Sequence, residues 1–173
     1  MKILYITFGL PTPPDSGARL RDFNLIKRVA QHHSVSILSL LEFENELDSA
    51  APLKAFCETV DGAVANSGSF RTAISMMNRL LYRQPLATAP FYQAELASKI
   101  TALSKREKFD IVQFEHSFLA PYRNALHPSF EGASVLSMHN IGVQQYRSIL
   151  NMTTGIKRIP AAMPTAQRVP MMV

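Results

Sequence analysis

Three short stretches carry the polar groups that could do chemistry. The first is Pro11-Thr12-Pro13-Pro14-Asp15-Ser16-Gly17-Ala18-Arg19-Leu20-Arg21. A glycine at a helix start lets a ligand approach the backbone closely, and the free N–H groups with the helix dipole favour a negative group there. Arg21, one turn in, adds a charged donor. Asp15 or Ser16 can cap the same helix, so a capped helix after a stiff turn is an equally weighted reading. The second stretch is Phe114-Glu115-His116-Ser117. A carboxylate beside an imidazole serves hydrogen bonding or proton transfer, although neighbours on an extended chain point to opposite sides and do not form a dyad with each other. The third is Ser137-Met138-His139-Asn140-Ile141-Gly142. There His139 and Asn140 are polar groups at a strand end, against the plainer reading of a strand-to-helix turn capped by Asn140.

These stretches need a frame. Lys2–Phe8 reads as a buried strand, and Gly9–Gly17 as a loop stiffened by Pro11, Pro13 and Pro14. The following helix carries Leu20, Phe23, Ile26 and Ala30 on one apolar face and ends at His32-His33. Val35–Leu41 is a second strand, continuously apolar as expected when both faces are covered. Asn45–Cys57 reads as helix with Pro52 at a break, and Thr59–Ala65 as a strand. Phe70–Arg83 and Gln93–Lys108 read as helices, Asp110–Phe114 as a strand and Ser117–Leu126 as a helix. Ala133–Met138 is the last strand and Ile141–Leu150 the last helix. The alternation predicts an α/β fold, a three-layer Rossmann-like domain with a mainly parallel sheet. Ligands of such sheets sit beyond the carboxyl ends of the strands, which selects the loops at Gly9–Gly17, Glu115–Ser117 and His139–Gly142.

Composition sets the outer limits. The 173 residues carry 18 Lys plus Arg against 13 Asp plus Glu, a formal net charge of +5. That surplus invites an anionic partner without demanding one, and no nucleic acid is expected. The single cysteine, Cys57, excludes a disulfide framework and a cysteine-based zinc cluster, and no histidine pair has metal spacing. The three-glycine dinucleotide fingerprint, the P-loop and the Gly-x-Ser-x-Gly pattern are absent. No apolar run reaches the roughly 20 residues of a membrane span. The expected location is the cytoplasm. Phe70–Arg83 leaves a peripheral contact with the inner face of the membrane open. Phe70, Ile74, Met77 and Leu81 fall on one side of that helix, with Arg71, Arg79 and Arg83 on the other. A stripe buried in the core is the commoner and favoured reading.

The order Met1-Lys2-Ile3-Leu4-Tyr5-Ile6, then Pro11-x-Pro13-Pro14-Asp15-Ser16-Gly17-x-x-x-Arg21, then Val35-Ser36-Ile37-Leu38 resembles the start of bacterial family 4 retaining glycosyltransferases. The nearest type is the exopolysaccharide-associated group, and Phe109–His116 and Val135–Gly142 fit the same order. The resemblance covers about residues 1–152. It implies the N-terminal, acceptor-side half of a GT-B fold; residues 153–173, rich in Pro and Met and without period, are expected to be an irregular, poorly ordered tail. It also implies Gly17 near the donor phosphates or sugar, Arg21 supporting that loop, and His116 in the acceptor-side cleft. His139 matches the catalytic histidine that approaches the reacting sugar, with Ser16, Glu115 and Asn140 as further substrate-binding residues. No metal and no cofactor is implied; a nucleotide-sugar is the donor and a glycan or lipid-linked molecule the acceptor. The family's donor signature, two glutamates with seven residues between them, belongs to a C-terminal domain, and the chain is expected to end before it. The expectation is therefore a catalytically incomplete chain with an apolar face exposed near its last strand. The alternative is a stand-alone Rossmann-like anion-binding or interaction module without catalysis.

Overall fold

The computed structural model describes residues 1–65, 77, 80–81 and 91–138. All of them lie in Met1–His139, the first of the two units into which the chain divides. Five apolar stretches become strands: β1 (Lys2–Phe8), β2 (Ser34–Leu41), β3 (Thr59–Val64), β4 (Ile111–Glu115) and β5 (Ala133–Ser137). They form one sheet in the order β3-β2-β1-β4-β5. Every pairing is parallel, with Tyr5 opposite both Ile37 and Gln113. The chain is thus an α/β protein with a Rossmann-like sheet. Its order reverses at β1, so β1 and β4 flank a topological switch point.

Alternation along the strands separates two cores. On one face Leu4, Ile6, Leu38, Leu40, Val112 and Phe114 pack with Leu96, Ile100 and Leu103 of the helix α3 (Ala94–Arg106). On the other, Ile3, Tyr5, Val35 and Ile37 pack with Ile26 of α1 (Gly17–Val29) and Leu53 of α2 (Ala51–Lys54). Burial on both faces is why β1 and β2 read as largely apolar runs. The start of α3 is fixed by Tyr122, whose hydroxyl donates to the Phe91 carbonyl at 2.9 Å and accepts from the Gln93 amide at 2.7 Å.

Several elements differ from expectation. Residues expected as one helix over Asn45–Cys57 form a 3-10 helix, Glu44–Ala50, followed by the short α2. Pro52 sits in the first turn of α2, where its missing N–H costs no hydrogen bond. Ser117–Ala125 is also a 3-10 helix, with Pro121 inside it. A proline there removes an amide and crowds the preceding turn, which interrupts regular α-helix. Leu20, expected on the buried face of α1, is 48% exposed, and Asp22 is buried. Met77 and Leu81, expected in the core, are exposed. The expected helix positions Phe70 and Ile74, the helix Ile141–Leu150 and the tail Thr153–Val173 lie outside the described residues. At the sheet edge, Val135 and Leu136 of β5 are 40% and 44% exposed.

Candidate functional site

All five strands run the same way, so the loops after β1, β4 and β5 leave from one edge of the sheet. The loop after β1 begins at Gly9, whose φ of 71° is one that a side chain would strain. Its amide donates to the Leu40 carbonyl at 2.8 Å. Glu46 then anchors the loop. Its Oε2 accepts from the Leu10 amide at 3.2 Å and from Arg19 Nη2 at 3.3 Å, while its Oε1 accepts from the Glu42 and Phe43 amides at 2.6 and 3.1 Å. Ser49 Oγ adds a bond to the Thr12 carbonyl at 2.9 Å. Ser16 caps α1, its Oγ accepting from the Arg19 amide at 3.4 Å. Gly17, the first residue of the helix, has open space where a Cβ would project.

Arg21, one turn into α1, reaches across to the ends of β4 and β5. Its Nη1 donates to Glu115 Oε2 at 3.2 Å and to Asp22 Oδ1 at 3.0 Å, and its Nη2 donates to Ser137 Oγ at 3.3 Å. Glu115 is fully buried at the end of β4, and its second oxygen accepts a short hydrogen bond from Gln113 Nε2. A buried carboxylate is tolerated when it is paired and hydrogen-bonded in this way. Tyr5 lies beneath the group. Burial, followed by the charges of Glu115 and Asp22, pushes its phenol up to about 12, so it stays protonated and cannot act as a base near neutrality.

His116 takes the opposite side of the strand end. Its φ of 95° lies in the region that favours glycine, a conformation that costs about 1–3 kcal/mol in other residues. Its amide donates to the Ser137 carbonyl at 2.9 Å. Its ring stacks on Phe118 at 5.1 Å with planes 9° apart, and meets the edge-on Phe8 at 6.5 Å. Phe118 stacks in turn on Phe91 at 4.5 Å. Glu115 and His116 therefore serve different surroundings, one ion-paired on the α1 side and one in an aromatic group on the α3 side.

Of the expected site residues, Ser16, Gly17, Arg21, Glu115 and His116 all lie at this edge. His139 and Asn140 fall outside the described residues. Sequence reasoning missed Tyr5, Asp22 and Gln113. Gln113 had a signal, being a polar residue in a buried apolar strand two places before Glu115. Among the described residues around the start of α1, two guanidinium groups, Arg19 and Arg21, meet four carboxylates, Asp15, Asp22, Glu46 and Glu115. That balance works against a bare phosphate and suits a neutral ligand rich in hydroxyl groups. Among the described residues, no group of three His, Cys, Asp or Glu could hold a metal ion. Burial raises the Cys57 thiol to about 12, which keeps it unreactive.

Comparison of the chain with protein-family models, with curated proteins and with solved structures gave no match. The functional reading therefore stands on the geometry of this edge and on the sequence resemblance.

Proposed function

We propose that this chain is the acceptor-side domain of a retaining glycosyltransferase, moving a sugar from a nucleotide-sugar donor to a glycan or lipid-linked acceptor. The observation that carries the reading is the reach of Arg21 to Glu115 and Ser137, which draws the ends of β4 and β5 to the start of α1 beside the switch point. Alternating carboxylate acceptors and guanidinium donors suit the hydroxyls of a sugar. The aromatic group of Phe8, Phe118 and His116 adds flat faces on which the apolar side of a sugar ring can stack. In this reading Ser16, Gly17, Arg21, Glu115, His116 and Asn140 contact substrate, and His139 approaches the reacting sugar. In the family the sequence resembles, a second domain holds the nucleotide.

One observation favours a second reading, a binding module for anions: the open space over Gly17 at a helix start. Calorimetry with inorganic phosphate, a nucleotide sugar such as UDP-glucose, and soluble oligosaccharides separates the two. The transferase reading expects heat from an oligosaccharide, and the anion module expects none from it. Binding of phosphate alone favours the anion module.

A further inference from the structure

The geometry points to a second ligand site near the amino ends of β4 and β5, one that takes a small zwitterion, a free amino acid with an apolar side chain. The two strands are parallel, so their amino ends lie opposite the edge that holds Arg21, and the inference is independent of the sugar-transfer reading. A cavity of about 240 Å³ opens there, lined by Arg123, His127 and Glu131 together with Leu126 and Phe130. The fold holds its walls in place. The His127 amide donates to Ser104 Oγ at 3.0 Å, and the Phe130 amide donates to the His127 carbonyl at 2.9 Å. Leu126 and Phe130 pack against the core on the α3 side. A Cβ on Gly132 would meet the Phe109 carbonyl oxygen at 2.4 Å, so this wall sits directly on the chain that leads into β4. The charges lining the cavity are of opposite sign. Among the described residues, the Arg123 guanidinium and the Glu131 carboxylate pair neither with each other nor with another side chain. Opposite charges held apart on one cavity suit a ligand that carries both, its carboxylate toward Arg123 and its ammonium toward Glu131. His127 adds a donor: its Nδ1 accepts from the Ser129 amide at 3.2 Å, so the ring hydrogen sits on Nε2. Leu126 and Phe130 offer the ligand's side chain an apolar surface.

Calorimetry of the full chain with leucine tests this, against isocaproate, which lacks the ammonium, and isoamylamine, which lacks the carboxylate. Leucine is expected to bind, with each analogue about tenfold weaker. Arg123→Gln and Glu131→Gln should each weaken leucine by about tenfold as well. Both residues are exposed, so thermal unfolding of the variants should match the parent. Amide chemical shifts should move at Leu126, His127, Phe130 and Gly132 on addition of leucine and stay fixed at Gly17 and Arg21. No heat from leucine, analogues that bind as tightly as leucine, shifts confined to other residues, or variants that bind like the parent would each overturn the inference. So would loss of binding in only one of the two variants, because the cavity would then take a plain anion or a plain cation.

Discussion

Arg21 Nη1 lies 3.2 Å from Glu115 Oε2, although 94 positions separate the two residues in the chain. One is 48% exposed at its side chain and the other is not exposed at all. The pair pins the first turn of α1 to the end of β4, and the bond to Ser137 extends the tie to β5. Removing the guanidinium leaves a buried carboxylate with only part of its partner set. Arg21→Met should cost about 2–3 kcal/mol in urea unfolding, the exposed side of the arginine moderating the loss. Paired with Glu115→Leu in a double-mutant cycle, the coupling should exceed about 1 kcal/mol. Additive effects would show that the two groups do not depend on each other.

Gly17 separates folding from binding. A Cβ there meets nothing, and alanine forms helix more readily than glycine. Gly17→Ala should leave stability unchanged or raise it by up to about 1 kcal/mol, while a Gly17→Leu side chain should obstruct any ligand that approaches the α1 backbone. Thermal unfolding alongside oligosaccharide titration checks both halves. A large loss of stability in Gly17→Ala would contradict the open space.

His116 offers a test of strain. Both His116→Ala and His116→Gly remove the stack on Phe118, but only glycine relaxes at a φ of 95°. His116→Gly should therefore be more stable than His116→Ala by about 1 kcal/mol. The opposite order would mean the backbone there is not strained.

At the amino edge of the sheet, Lys2 Nζ lies 3.0 Å from Glu107 Oε2. The Lys2 ammonium is raised above its usual 10.5, chiefly by Glu107. For Glu107, burial works upward, but Arg106 and Lys2 outweigh it and hold the carboxyl below its usual 4.5. A depressed carboxyl contributes stability above its unfolded value, so this part is lost as pH falls below about 4.5. A raised ammonium contributes below its unfolded value, so that part is lost as pH rises past about 10.5. Lys2→Met should flatten both arms of a plot of unfolding free energy against pH. Unchanged arms would show that the pair adds nothing.

The frame was legible because its signals are local. Val35–Leu41 is apolar apart from Ser36 and Ser39, since Leu38 and Leu40 face one core and Ile37 and Leu41 the other. Leu20 was misassigned because periodicity alone cannot see that Asp22 turns inward, toward Arg21, at the same end of α1. Over Ser117–Ala125 the spacing reads as α-helix, and Pro121 inside it makes the element a 3-10 helix instead. Ser16, Gly17 and Glu115 stood out through residue type and strand-end position. The partnership of Arg21 with Glu115 and Ser137 is a long-range contact, and no spacing in the sequence encodes it.

The central claim is that the edge around Arg21 and Glu115 receives a sugar. Amide chemical shifts of the isotope-labelled chain, followed while methyl glycosides of common hexoses are added, test it most directly. Saturable shifts at Gly17, Arg21, Glu115 and His116, abolished by Arg21→Met and not reproduced by inorganic phosphate, are the result expected. Shifts confined to other residues, or none for any glycoside, would contradict it.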